Sequence, residues 1–192
     1  MIKTSLSFYL ASKSPRRRKL LKQLGIDFSS FSVELDEKLF DGEHPVECVS
    51  RLASEKMAKA KLEVNDGIII TADTIVVLGK EVIGKPSDEN EAKKYLKMLS
   101  GKTHIVYTGF SVFNSITQKE ITDYEKTEVE FRILDDLEIK NYVEGGSPMD
   151  KAGAYGIQDD FGAVFVKQIN GCYYNVVGLP LTKLYQVLRS II

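Results

Sequence analysis

The chain has 192 residues, 43% of them apolar and 28% charged, an ordinary globular composition that excludes a disordered, fibrous or low-complexity protein. Twenty-six lysines and arginines against 27 acids leave a formal charge of −1, so no global polycation is present to wrap nucleic acid and any anion site must be local.

Met1 to Ala11 imitates a secretory signal only faintly, because Ser5 and Ser7 interrupt it and arginines follow where a cleavage site should be. Leu6 to Ala11 reads better as a first strand. Ser14 and Pro15 then form a helix cap and first helical residue, with Gly25 as the stop, which predicts a short helix over about 15–24. A second helix is expected over 45–62, with Val46, Val49, Ala53, Met57 and Ala60 on one face. Ile68 to Leu78 reads as a buried strand, followed by a turn at Gly79-Lys80 and a short strand ending at Gly84. Ser87 to Leu99 is a third helix, and residues 104–133 alternate as an antiparallel pair would. A fourth helix spans about 135–144 until Gly145-Gly146. Ala163 to Val176 is expected to be a hairpin turning at Asn170-Gly171. The last helix starts at Pro180 and buries Leu181, Leu184, Tyr185, Leu188 and Ile191. Alternating strands and helices without repeats or long linkers indicate a single α/β domain over residues 1–192.

No apolar run approaches the ~18 to 20 residues that span a bilayer. Cys48 and Cys172 lie far apart and show no metal or redox spacing, which fits a reducing compartment and a cytoplasmic location. With His44 and His104 the only histidines, a zinc site or a Ser/His/Asp triad has few parts. A metal would therefore rest on oxygen ligands, which favours magnesium or manganese.

Between positions 13 and 22 stand Lys13, Arg16, Arg17, Arg18, Lys19 and Lys22, with no acid among them. They sit at a helix N-terminus directly after a strand, where backbone N–H groups and the helix dipole favour an anion such as phosphate. With Leu20, Leu21 and Leu24 as the inward stripe, Arg17 falls inside it, Arg16 at its margin, and Arg18, Lys19 and Lys22 toward solvent. The alternative is a solvated basic face. Lys56 lies nearer the apolar face of its helix than Lys59 or Lys61, so its ammonium is expected to snorkel toward a cleft rim, or to be merely structural.

Asp73 interrupts an eleven-residue β run, and a carboxylate buried there needs a partner or a metal. Otherwise the strand ends there and Asp73 caps a bend. A turn centred on Gly79-Lys80 sets Lys85 opposite Thr74, although strict alternation puts Lys85 and Asp73 on opposite faces unless Gly84 makes a bulge. Glu34, Asp36 and Glu37 offer a further metal carboxylate, or a solvated acidic loop. In Asp150–Gln158, two glycines and an aromatic suit either close approach to a flat ligand or a tight turn, and the Gln158 amide suits a base edge.

Taken in order, these segments resemble the Maf family, nucleoside triphosphate pyrophosphatases first named for septum formation. The motifs are Leu10-Ala-Ser-Lys-Ser-Pro-Arg-Arg17, Glu37, Glu55-Lys56, Ala72-Asp-Thr74, Gly84-Lys-Pro86, Ser100-Gly101 with His104, Asp150–Gln158 and Val176-Val-Gly-Leu-Pro180. The resemblance implies an elongated, mixed-sheet α/β fold like that of the ITPases, with two lobes flanking a central substrate cleft. It also implies metal-dependent attack of water on the α-phosphorus of a nucleoside triphosphate, with release of the monophosphate and pyrophosphate. On that basis Asp73 is the proton acceptor, Glu37 and Asp73 hold a divalent magnesium or manganese ion, and Ser14, Arg17, Lys56 and Lys85 surround the triphosphate, the two lysines assisting catalysis. Arg16, Thr74 and Gln158 resemble the specificity positions of the branch acting on dTTP and UTP, a house-cleaning role in nucleotide metabolism. The expected partner is the nucleotide substrate, with no nucleic acid and no membrane, and a homodimer is allowed. The rival from another class is a non-enzymatic nucleotide- or nucleic-acid-binding regulator of cell division, which lacks a recognised nucleic-acid module. A phosphotransferase lacks a Walker loop, since Ser100-Gly-Lys-Thr103 has no upstream glycine in place.

Overall fold

The computed structural model describes residues 2, 4–158 and 161–192, and of Ser147 only the backbone; Met1 and Lys3, within the leader-like start, lie outside the described residues. Among the described residues the strands are β1 (Phe8–Ala11), β2 (Phe28–Phe31), β3 (Ile68–Leu78), β4 (Glu81–Ile83), β5 (Thr103–Asn114), β6 (Lys119–Phe131) and β7 (Val166–Asn170). They form one mixed sheet in the order β2-β1-β3-β5-β6-β7, with β4 on β3. Helices α1 (Pro15–Gln23) and α2 (Pro45–Ala60) follow β1 and β2. Both supply the crossovers that parallel strands require, because β1 pairs in parallel with β2 and with β3. The remaining helices are α3 (Glu89–Leu99), α4 (Asp136–Glu144), α5 (Tyr173–Val177) and α6 (Leu181–Ile191). No described helix is long and apolar enough to cross a membrane.

The chain divides into two compact units: residues 1–73, 108–125 and 178–192 in the first, 74–107 and 126–177 in the second. In the first, Ala11, Met57, Ala60, Val64, Ile69 and Phe113 pack together, joining β1, α2, β3 and β5. Gly109 on β5 lets α2 approach: a Cβ there would stand 2.3 Å from the Val49 carbonyl oxygen, so any side chain would lever the helix away. Helix α6 closes this unit with Leu181, Leu184, Val187, Leu188 and Ile191 buried. Tyr185, expected among them, is only half-buried, and Val187 takes its place.

The second unit packs Val76, Ile83, Leu96, Val106, Phe131, Tyr155 and Phe165, among others, into its own core. The β3–β4 register, Val76↔Ile83 to Leu78↔Glu81, is the one expected from the Gly79-Lys80 turn. The hairpin expected over Ala163–Val176 does not form. β7 pairs instead with β6, Glu128 opposite Asn170 and Val129 opposite Ile169, and the chain beyond Gly171 coils into α5. The reason lies in the core. Asn175, fully buried, donates to the Val106 carbonyl and to Thr127 Oγ1, both at 3.0 Å, which a β-strand continuing from Gly171 would forgo.

Candidate functional site

In the first unit the site begins where β1 gives way to α1. Ser14 caps the helix, its Oγ accepting from the Arg17 backbone N–H at 3.4 Å, and Pro15 occupies the first helical position. Arg16, Arg17 and Arg18 are half-buried, and Lys19 and Lys22 exposed; Arg18 is less solvated than its helical direction predicts. The Arg17 side chain is fixed from behind: Nε donates to the Gly178 carbonyl at 2.7 Å and Nη1 to Ser12 Oγ at 3.5 Å. Burial of the guanidinium lowers its pKa, opposed by the charges of Asp73 and Glu37 and reinforced by Arg16. Arg17 therefore stands in the electrostatic field of both carboxylates.

Those carboxylates meet on α2. Thr71, two residues before Asp73 and on the same face of β3, donates its hydroxyl to the Ala53 carbonyl at 2.8 Å, which locks strand to helix. One turn further along α2, Lys56 Nζ donates to Asp73 Oδ1 at 2.5 Å and to Glu37 Oε1 at 2.6 Å. The strand runs unbroken through Asp73, so the bend alternative is excluded. Side-chain exposure is 10% for Lys56 and 8% for Asp73, while Glu37 comes from an open loop and keeps 37%. Lys56 is thus enclosed between two acids.

Asp73 and Glu37 are the residues able to hold a divalent cation, since their oxygens already converge on one positive charge. No group of three His, Cys, Asp or Glu side chains gathers as a metal cage among the described residues. A pair of carboxylates fits a magnesium or manganese ion that retains waters and takes further oxygens from a substrate.

The second unit holds the other expected residues. Thr74, directly after Asp73 in β3, is half-buried. Lys85 is exposed just beyond the end of β4. Gln158 is half-buried at the end of the Asp150–Gln158 segment. Three bonds among the described residues help anchor that segment: the Gly153 N–H donates to the Gly84 carbonyl, the neighbour of Lys85, at 3.0 Å, the Tyr155 hydroxyl meets His104 Nε2 at 2.8 Å, and the Gly156 N–H donates to the Tyr142 hydroxyl at 3.3 Å.

Two features have no clear sequence signal. The Gly178 carbonyl that fixes Arg17 lies 161 residues away from it in the chain. Arg51, which binds the loop after Glu37, shows only its i,i+4 spacing to Glu55; nothing marks Glu43 as its main partner.

Comparison with known proteins places these residues in context. Residues 7–191 match a family described as Maf-like protein. A dTTP/UTP pyrophosphatase of Pelotomaculum thermopropionicum is 47% identical over 94% of this chain and 94% of its own. One from Alkaliphilus oremlandii is 48% identical, again over 94% of each chain, and one from Aquifex aeolicus 46% over 95% and 94%. Among solved structures, a HAM1 protein from Coxiella burnetii aligns over 97% of this chain and 98% of its own at 13% identity and a TM-score of 0.46, too distant a likeness to add to the assignment. With a family match running from the residue before β1 to the last residue of α6, and so through every motif described above, this chain belongs to the Maf-like protein family.

Proposed function

We propose that the chain is a nucleoside triphosphate pyrophosphatase that splits dTTP and UTP into the nucleoside monophosphate and pyrophosphate. The observation that carries the reading is the Asp73 carboxylate, enclosed in mid-strand, gripped by an ammonium and lying within range of a guanidinium at a helix N-terminus. Such an arrangement suits a polyanion and a proton acceptor together. The substrate comes from the relatives, dTTP/UTP pyrophosphatases that match nearly the full length of this chain.

In this mechanism Asp73 takes the proton of the attacking water, whose oxygen bonds to the α-phosphorus as the bond to the α–β bridging oxygen breaks and pyrophosphate departs. In the free chain Lys56 occupies one oxygen of Asp73. A triphosphate offers Lys56 competing oxygens, and as the ammonium turns to them Asp73 is released to accept the proton. Arg17, fixed by Gly178, meets the charge that grows on the leaving group. Glu37 and Asp73 would hold a magnesium or manganese ion, which when bound contributes charge neutralisation at the phosphates and a more acidic water. Arg16, Thr74 and Gln158 are assigned to the base. The free cysteines Cys48 and Cys172 support a reducing, cytoplasmic setting.

The test is product analysis. Purified protein with magnesium or manganese is expected to convert dTTP or UTP into monophosphate and pyrophosphate on anion-exchange chromatography; diphosphate with orthophosphate overturns the reading. Asp73→Asn is expected to lower kcat by about 10²- to 10⁴-fold while its circular dichroism matches the parent. Full activity in that variant would remove Asp73 from the role of base.

A further inference from the structure

The segment that carries Glu37 has no regular structure between β2 and α2, and most of it is exposed. Cations of α2 hold it at successive points. Lys59 donates to the Glu34 carbonyl, Lys56 to the Glu37 carboxylate at 2.6 Å, and Arg51 to the Lys38 carbonyl at 2.9 Å. Arg51 does most. Its Nε and Nη2 grip the Glu43 carboxylate in a two-pronged pair at 2.7 and 2.6 Å, and Nη1 reaches Glu55 at 3.2 Å. The guanidinium carbon also lies 4.4 Å from the centre of the Phe40 ring. One planar group therefore binds the loop at Lys38, Phe40 and Glu43, and the first of these adjoins Glu37. A planar fork can do this and a lysine cannot, because the geometry needs several donors in fixed directions.

We infer that Arg51 is a positioning residue for the reaction, holding the Glu37 carboxylate in register with Lys56 and Asp73 through the Lys38 carbonyl and the Glu43 carboxylate. This rests on the proposed function for the role of Glu37. Arg51 itself faces Glu43, Glu55 and Phe40 and touches none of the assigned substrate residues in these bonds, so its effect must pass through the loop. Side-chain exposure of 23% for Arg51 and 13% for Glu43 sets this pair apart from the exposed ion pairs elsewhere on the surface, which hold little in place.

The experiment is a double-mutant cycle combined with hydrogen exchange on the full chain. Arg51→Lys keeps the charge and the stem, and is expected to lower kcat for dTTP by roughly 10- to 100-fold, the scale of a misplaced catalytic group. Glu43→Gln, a milder cut from the loop side, is expected to lower it less. In a Glu37→Gln background the Arg51→Lys change is expected to cost nothing further, since the carboxylate it positions is already gone. Amides of residues 36–43 are expected to exchange faster in Arg51→Lys, with the amides of β3 unchanged. Additive losses, a Glu37→Gln variant as fast as the parent, or unchanged exchange in the loop each overturn the inference. Failure of the parent chain to hydrolyse dTTP or UTP instead overturns the proposed function, and the exchange data still decide whether Arg51 holds the loop.

Discussion

Lysine is among the residues least often buried, and Lys56 is buried because two acids wait for it. Removing one partner of an enclosed ion pair strands the other charge, at a cost of about 3 to 5 kcal/mol, whereas removing both costs far less. Lys56→Met is therefore expected to lower unfolding free energy in urea by about 3 kcal/mol, somewhat moderated by the nearby Arg17 charge, and the double variant Lys56→Met/Asp73→Asn to recover about half of that loss. Equal stability of the single and double variants would show that Asp73 does not depend on Lys56. Sequence makes half of this pair legible. An aspartate inside an apolar β run has to be compensated, and the helical position of Lys56 turns it inward. That each compensates the other depends on the Thr71 hydroxyl tying β3 to α2, a long-range register that no local pattern carries.

Secondary elements were readable where one periodicity ran long, as in β3, whose expected and observed limits coincide, and in α2, which ends two residues short of expectation. A strong local signal yields to a stronger distant one at the Asn170-Gly171 turn, which makes no hairpin because β6 offers a strand partner and the core offers Asn175 its bonds. The Asp150–Gln158 segment is the other case. Its glycines suggested a turn or a ligand contact, yet much of its placement comes from Tyr155 and His104, 51 residues apart in the chain. His104 is buried edge-on to the Phe131 and Tyr155 rings, and its Nδ1 has no hydrogen-bond partner among the described residues. Burial lowers its pKa from 6.5 to about 4. Between those values the unfolded chain binds a proton that the folded chain refuses, so stability is full above 6.5 and declines as pH falls toward 4. The decline amounts to roughly 3 kcal/mol from this one residue. Urea titrations at pH 7 and pH 4.5 are expected to show a loss smaller by about 2 kcal/mol in His104→Gln than in the parent. Identical losses would mean that the ring is already solvated.

At the scale of the whole molecule, the chain leaves the first unit and returns to it twice, so that unit is built from three separated stretches. The last stretch contributes more than a peripheral helix would. Its Gly178 carbonyl fixes Arg17, and the Ile191 carbonyl accepts from the buried Asn114 amide at 2.8 Å. The five buried side chains of α6, Leu181, Leu184, Val187, Leu188 and Ile191, each contribute about 1.5 to 3 kcal/mol by leaving water, some 7 to 15 kcal/mol together. That equals the entire net stability of an ordinary domain, about 5 to 15 kcal/mol. A chain stopped after Val177 is therefore expected to have no cooperative thermal transition and no pyrophosphatase activity, while the single change Leu184→Ala, at about 2 to 5 kcal/mol, is expected to lower the melting temperature and leave the fold intact. Calorimetry of both decides the matter. A truncated chain that melts cooperatively near the parent temperature would mean that residues 1–73 and 108–125 hold their unit together without α6, and that Arg17 needs no support from Gly178 to keep its place at the head of α1.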